Sequence, residues 1–164
     1  MSEDEIISAA KSASGMGFKT IVLQSGEDLH FNTLRMCRII KQIKKLDVAL
    51  TLSIGERTYD EYKAFRESGA DRYLMRIETT DQNLYAKLHP QMSWQHRHEC
   101  LLMIKEQGYE LGSGIMVGLP NQSIESIADD LLYLQALGID MAGIGPFIPH
   151  PDTPLKDEKG GTLS

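Results

Sequence analysis

The chain has few cysteines, no long apolar run and no excess of basic residues. Cys37 and Cys100 are the two cysteines among 164 residues, and without CxxC or Cys/His ligand spacing they predict neither a disulfide framework nor a zinc site. The net charge of -6, with scattered lysines and arginines, argues against a nucleic-acid partner. No membrane span is indicated, and the acidic N-terminus lacks the regions of a secretory signal, so we expect a cytoplasmic protein.

Apolar, strand-like stretches recur along the chain, and each of the first four is followed by a segment of helical period. They lie at 20–25, 48–54, 72–78, 109–119 and 140–147, a spacing typical of βα units. S-x-x-E and T-x-x-E capping boxes at Ser2 and Thr58 predict two helix starts. We therefore predict one domain over residues 1–155, in the order α, four βα units and a final β, followed by a polar tail at 156–164.

The glycine pattern favours a barrel over a Rossmann sheet. A Rossmann fold needs Gly-x-Gly-x-x-Gly at the start of a helix, whereas the glycines of 112–118 fall in or at the end of a strand. We predict an α/β fold, a partial TIM-like barrel of about five parallel strands with helices outside and functional groups at the C-terminal strand ends. One strand face carries Gly112, Gly114, Met116 and Gly118, which indicates either a slot for a flat ring or relief of crowding between strands.

Polar side chains follow the alternation of three successive predicted strands. In 72–78, Arg76 and Glu78 share the face opposite the apolar residues, so we expect them inside the barrel, either as a structural ion pair or as ligands of a polar molecule. The same parity groups the polar residues of the first two strands, Ser25, Glu27, Thr51 and Ser53. These residues either converge on a small-molecule site or only end their strands.

Histidines and one arginine lie near the later strand ends. His96 and His98 are two residues apart on a predicted helix, so they face different directions and predict surface positions, not a metal pair. Arg97 either clamps a carboxylate at the barrel mouth or lies on a solvated helix face. His150, between two prolines, either lines the cavity or shapes a loop. No nucleophile triad or phosphate loop is found, so we predict no catalytic residue and no metal ligand.

Four stretches, in order along the chain, together resemble the radical S-adenosylmethionine (SAM) enzymes. They are 21-IVLQSGED-28, 72-RYLMRIET-79, 112-GSGIMVGLPNQS-123 and 143-GIGPFIPHPDTPL-155. Within that family the chain resembles the HydE-type maturases of the [FeFe]-hydrogenase active site, which are relatives of biotin synthase and methylornithine synthase. The resemblance implies that the intact enzyme reductively cleaves SAM to a 5'-deoxyadenosyl radical, which acts on a small substrate during cofactor assembly.

The resemblance also implies roles for residues singled out above. Gly26 and Glu27 match a motif that holds the amino group of SAM, with Ser25 in place of the usual glycine. Glu78 matches the ribose contact, and Arg97 the clamp on the methionine carboxylate. The predicted cofactor-binding residues are therefore Gly26, Glu27, Ser53, Glu78, Arg97, Met116 and Val117. The predicted substrate-binding residues are Ser25, Thr51 and Arg76.

One family motif is absent, the Cys-x3-Cys-x2-Cys loop whose thiolates hold a [4Fe-4S] cluster. The resemblance therefore implies a fragment that starts after this loop, stops before the last barrel strands and is inactive alone. Its expected partner is the missing N-terminal segment or another maturation protein. The alternatives are a non-catalytic SAM- or partner-binding domain, a biotin synthase-like or methylornithine synthase-like enzyme, and a phosphate-binding barrel, against which the acidic strand tips argue.

Overall fold

A computed structural model describes residues 1–28 and 30–161 of the chain. The helices within these residues are α1 (Glu3–Gly15), α2 (Thr33–Ile43), α3 (Tyr59–Glu67), α4 (Gln82–Leu88), α5 (Trp94–Glu106) and α6 (Ile124–Leu137). The strands are β1 (Thr20–Gln24), β2 (Ala49–Ser53), β3 (Arg72–Leu74), β4 (Glu110–Val117) and β5 (Met141–Pro146). They form one sheet in the order β1-β2-β3-β4-β5 with parallel pairing. The predicted α/β class with five parallel strands is confirmed.

Two compact units make up the chain, one of residues 1–75 and 99–111 and the other of residues 76–98 and 112 onward. In the first unit, β1 pairs with β2 from Thr20 opposite Ala49 to Gln24 opposite Ser53. The apolar face of α2 is buried, namely Met36, Ile39, Ile40 and Ile43. The predicted capping boxes at the starts of α1 and α3 are both formed. Local sequence signals therefore fix the helix starts of this unit.

The second unit is built on the pairing of β4 with β5, from Gly112 opposite Met141 to Val117 opposite Pro146. A small apolar cluster packs here, comprising Leu84, Leu88, Met116, Leu119, Phe147 and Leu155. A Cβ atom at position 114 would lie 1.9 Å from the carbonyl oxygen of Gly143. Gly114 therefore allows a close approach of two strand backbones, which supports relief of crowding at this position.

Two elements differ from the sequence expectations. The predicted strand 72–78 ends at Leu74, although the burial of side chains still alternates through Glu78. Helix α4 was not predicted, because its seven residues are too few to show a helical period. Asp81 caps it by accepting hydrogen bonds from the backbone N–H groups of Asn83 and Leu84, at 2.9 and 3.0 Å. No helix among the described residues is both long and apolar enough to cross a bilayer.

Candidate functional site

The end of β1 turns sharply at Gly26. The backbone N–H of Ser25 still donates to the carbonyl of Ser53 at 3.2 Å, so the ladder with β2 extends one residue beyond β1. Gly26 then adopts a left-handed conformation with φ of +62°, which glycine tolerates without strain. The hydroxyl of Ser25 donates to the carbonyl of Gly26 at 3.2 Å. The glycine in this stretch therefore reverses the chain so that Glu27 follows at the strand tip.

The carboxylate of Glu27 anchors the loop after β2. Its Oε2 accepts a hydrogen bond from the backbone N–H of Glu56 at 2.7 Å. A Cβ atom at position 55 would lie 2.2 Å from the same oxygen, so Gly55 leaves room for the carboxylate. On β2, Thr51 is buried and Ser53 is half-buried. The first unit thus brings Ser25, Gly26, Glu27 and Ser53 together, with Thr51 two residues earlier on the strand.

Arg57 is a buried residue of this loop that the sequence patterns do not predict. Its guanidinium donates to the carbonyl oxygens of Ile54 at 3.2 Å and Asp28 at 2.8 Å. Arg57 therefore ties the segment after Glu27 to the end of β2. The available signal was a lone arginine in the loop after a predicted strand, which by itself indicates only a solvated side chain.

Glu78 lies at the centre of a γ-turn. Its φ is +67°, and the N–H of Thr79 donates to the carbonyl of Ile77 at 2.9 Å. The backbone of Glu78 also bridges to β4, because its N–H donates to Gly114 at 3.0 Å and its carbonyl accepts from Met116 at 3.2 Å. A γ-turn with positive φ is rare and strained. A strained turn that presents a carboxylate therefore lies a few residues beyond the end of β3.

The side chain of Glu78 is largely buried beside two cations. A guanidinium nitrogen of Arg76 lies 3.4 Å from Glu78 Oε2, and Arg76 also donates to the carbonyl of Ile115. Burial raises the pKa of Glu78, while the charges of Arg76 and then Arg97 oppose that rise. Glu78 Oε2 and Arg76 Nε are buried and make no hydrogen bond with any described residue. The ion pair considered from the sequence is thus formed, yet it leaves polar atoms that suit a polar ligand.

Arg97 is buried, not on a solvated helix face. It lies in the first turn of α5, and its Nε donates to the hydroxyl of Tyr85 at 3.3 Å. A second guanidinium nitrogen lies 3.6 Å from the sulfur of Met92. These contacts hold the planar guanidinium in one orientation, and its charge reaches Glu78.

Met116 and Val117 lie at the end of β4 and are half-buried. The side chain of Met116 packs on the apolar cluster of the second unit, and the carbonyl of Val117 accepts from the N–H of Phe147 at 2.8 Å. Because Met116 also donates its N–H to Glu78, the second unit brings Arg76, Glu78 and Met116 together.

The three histidines considered from the sequence lie in different surroundings. His96 is exposed as predicted, whereas His98 is half-buried, which corrects its expected surface position. The ring of His98 stacks on Trp94 with centroids 5.3 Å apart and shares a 2.7 Å hydrogen bond with the hydroxyl of Tyr133. His150 is exposed, and its Nδ1 accepts from the N–H of Asp152 at 3.2 Å. This contact supports the loop-shaping alternative for His150.

The residues of this chain do not fit an iron–sulfur cluster. Cys37 on α2 has its Sγ 3.6 Å from the carbonyl oxygen of Ala64, and Cys100 on α5 is buried with its Sγ 3.9 Å from that of Arg57. Residues 1–28 and 30–161 contain no group of three or more His, Cys, Asp or Glu that could hold a metal ion. SAM is a better match, because a buried carboxylate oxygen without a donor suits a ligand with hydroxyl groups.

Curated relatives place this geometry in a family context. The chain is 53% identical over its 164 residues to the [FeFe] hydrogenase maturase subunit HydE of Thermotoga maritima and covers 47% of that protein. It is 32% identical over 159 residues to 3-methylornithine synthase of Methanosarcina acetivorans, an alignment that covers 95% of this chain and 45% of the relative. The chain therefore spans about half the length of the curated relatives it matches.

Solved structures show the same arrangement of strands and helices. Methylornithine synthase (PylB) matches with a TM-score of 0.88 at 29% identity, over 96% of this chain and 47% of that one. The maturase HydG, at 20% identity and over 93% of this chain and 37% of that one, matches in fold with a TM-score of 0.77. The expected partial TIM-like barrel is thereby confirmed. Since residues 1–134 also match the Radical SAM superfamily model, the chain belongs to the radical SAM superfamily.

Proposed function

We propose that this chain is the SAM-binding part of a cytoplasmic radical SAM maturase that acts on a small molecule during assembly of the [FeFe]-hydrogenase cofactor. The higher identity to the HydE maturase subunit than to methylornithine synthase supports this choice over a methylornithine synthase-like or biotin synthase-like activity. The predicted division into a barrel part at 1–155 and a polar tail at 156–164 remains part of the proposal, and residues 162–164 lie outside the described residues.

The observation that carries the proposal is the carboxylate of Glu78. Its Oε2 is buried without a hydrogen-bond donor among the described residues, and the turn that presents it is strained. Strained backbone persists where the surroundings hold it, and such residues cluster at ligand sites. We assign Glu78 to the ribose hydroxyls of SAM, which donate hydrogen bonds that a carboxylate accepts.

We assign the other predicted residues to the remaining groups of SAM, each within its own unit of the chain. Arg97 binds the methionine carboxylate, since a guanidinium offers N–H donors in a fork that matches a carboxylate. Gly26 and Glu27 bind the amino group, Ser53 also contacts SAM, and the backbone at Met116 and Val117 contacts the adenine. The substrate is assigned to Ser25, Thr51 and Arg76.

A reduced [4Fe-4S] cluster bound next to SAM would supply the electron that releases a 5'-deoxyadenosyl radical. This chain has two cysteines and cannot provide three thiolates, so we propose that a segment or protein outside it supplies the cluster ligands. Strand β1 pairs only with β2 among the described strands, and an apolar groove of about 650 Å³ runs along β1 and α1. A further strand packing there would cover both features.

Calorimetric titration with SAM tests the assignment. We expect Glu78→Ala and Arg97→Ala each to weaken SAM binding by about tenfold or more, because a hydrogen bond to a charged group is worth about 1.5–3 kcal/mol. The matched controls are the exposed residues Glu125 and Arg38, whose replacement by alanine leaves the affinity unchanged. Folded variants of Glu78 and Arg97 with unaltered affinity would contradict the proposal.

A second candidate is a chain that binds SAM without chemistry, and the cysteine count favours it for this chain alone. The two candidates differ in what an added cluster segment does. A maturase part forms 5'-deoxyadenosine when a segment whose Cys-x3-Cys-x2-Cys loop carries a [4Fe-4S] cluster is supplied with a reductant, whereas a non-catalytic remnant binds SAM and releases it unchanged.

A further inference from the structure

Asp130 is a fully buried carboxylate that no predicted role explains. It lies on α6 next to Asp129, which is exposed. Its Oδ1 accepts hydrogen bonds from the backbone N–H of Thr80, from the hydroxyl of Thr80 at 2.7 Å and from the hydroxyl of Thr79 at 3.4 Å. Asp130 therefore binds the two residues that directly follow Glu78.

Burial of a carboxylate is costly unless its partners compensate. Transfer of a carboxylate out of water is unfavourable, and Asp130 Oδ2 makes no hydrogen bond with any described residue. A neutral side chain could fill the same volume at lower cost. The hydrogen bonds that Asp130 accepts fix the chain at Thr79 and Thr80 instead.

The turn is held from several sides at once. The indole N–H of Trp94 donates to the carbonyl of Thr79 at 3.1 Å, while the hydroxyl of Thr79 donates to Asp130. Positive φ at a residue other than glycine is strained, so we expect the chain to relax to negative φ when such anchors are removed. A change in φ at Glu78 moves its Cα–Cβ bond and re-aims the carboxylate.

We propose that Asp130 is a positioning residue, whose carboxylate holds Thr79 and Thr80 and thereby keeps Glu78 in the left-handed turn that aims it at the ribose of SAM. This role rests on the proposed function. It is a role for α6 separate from ligand contact, because Asp130 touches the turn and acts on the ligand only through Glu78.

A double-mutant cycle on the full chain tests the role. SAM affinity is measured for Asp130→Ala in the natural background and in the Glu78→Ala background. We expect Asp130→Ala to weaken binding about tenfold in the natural background and less than about twofold where the Glu78 carboxylate is absent. Asp129→Ala, an adjacent change of the same kind, leaves the affinity unchanged in both backgrounds. If Asp130→Ala does not fold, two milder variants are measured instead. Asp130→Asn replaces the carboxylate by an amide, and Thr80→Val removes the hydrogen bond from the Thr80 hydroxyl.

Amide hydrogen exchange gives a readout that does not need SAM. The backbone N–H of Thr80 exchanges faster in the Asp130 variant than in the Asp129 variant if the carboxylate holds the turn. Normal SAM binding by the Asp130 variants overturns the positioning role but not the proposed function. An equal loss of affinity in both backgrounds has the same meaning. Absence of SAM binding by the natural chain overturns the proposed function and the positioning role with it, even where the exchange difference is present.

Discussion

At the scale of single residues, two features of Glu78 destabilise the folded chain. Its backbone adopts φ of +67°, and its carboxylate is buried beside Arg76 with one oxygen that lacks a hydrogen bond from any described residue. Both features oppose stability, and both suit a ligand that donates hydrogen bonds. Stability and SAM binding should therefore respond in opposite directions to substitutions at this position.

Comparison of Glu78→Gly with Glu78→Ala isolates the backbone contribution. Both changes remove the carboxylate, but only alanine keeps a Cβ atom that is strained at positive φ. We expect the glycine variant to be more stable by about 1 kcal/mol, seen as a melting temperature about 2–4 °C higher, with SAM binding weakened in both. Equal melting temperatures would show that the left-handed turn is not maintained in solution.

The raised pKa of Glu78 predicts a pH dependence of stability. The folded state binds the Glu78 proton more tightly than the unfolded state does, so its contribution is complete below about pH 4.3, the usual value for glutamate, and is lost as pH rises through the raised pKa. The stability of Glu78→Gln relative to the natural chain should therefore increase across this window and then level off. Denaturant melts at several pH values measure it. A stability difference between Glu78→Gln and the natural chain that stays constant across these pH values argues against a raised pKa of Glu78.

At the scale of elements, the pairing of β4 and β5 depends on a glycine at position 114, which has no Cβ atom to clash with the neighbouring strand. We expect Gly114→Ala to destabilise the chain by about 1–3 kcal/mol, because the new methyl group would clash with the Gly143 carbonyl oxygen. Gly145→Ala on β5 is the control, since its Cβ meets nothing within 4 Å, and it should be neutral or stabilising by about 0.5–1 kcal/mol. Chemical denaturation checks both, and a Gly114→Ala variant as stable as the control would refute the close approach.

The elements also show which features the sequence could predict. The number and order of the strands, the capping boxes at Ser2 and Thr58 and the alternating burial up to Glu78 are local patterns, and the structure confirms them, although β3 ends earlier than predicted. The Glu78 turn depends instead on Asp130, some 50 residues away along the chain, so no local pattern reports it. The burial of Arg97 likewise depends on Tyr85 in a short helix without a readable period. The assignment of ligand groups to these residues stays a prediction.

At the scale of the whole molecule, the two cysteines limit what the chain does alone. Cys100 is buried in a helix, and a [4Fe-4S] cluster of this family needs three thiolates. After iron–sulfur reconstitution we expect no retained four-iron cluster and no 5'-deoxyadenosine from SAM, although SAM still binds. Iron and sulfide content measures cluster retention, and chromatography of the products measures 5'-deoxyadenosine. Cys37→Ser is the control, and it should change neither result. Stoichiometric iron in the isolated chain would contradict it.

The position of the only tryptophan gives this molecule an optical probe of its own site. Trp94 donates its indole N–H to the Thr79 carbonyl and stacks on the His98 ring, so its surroundings change whenever the turn after Glu78 moves. A single emitter in this position allows ligand occupancy to be read as a change in fluorescence, without a label.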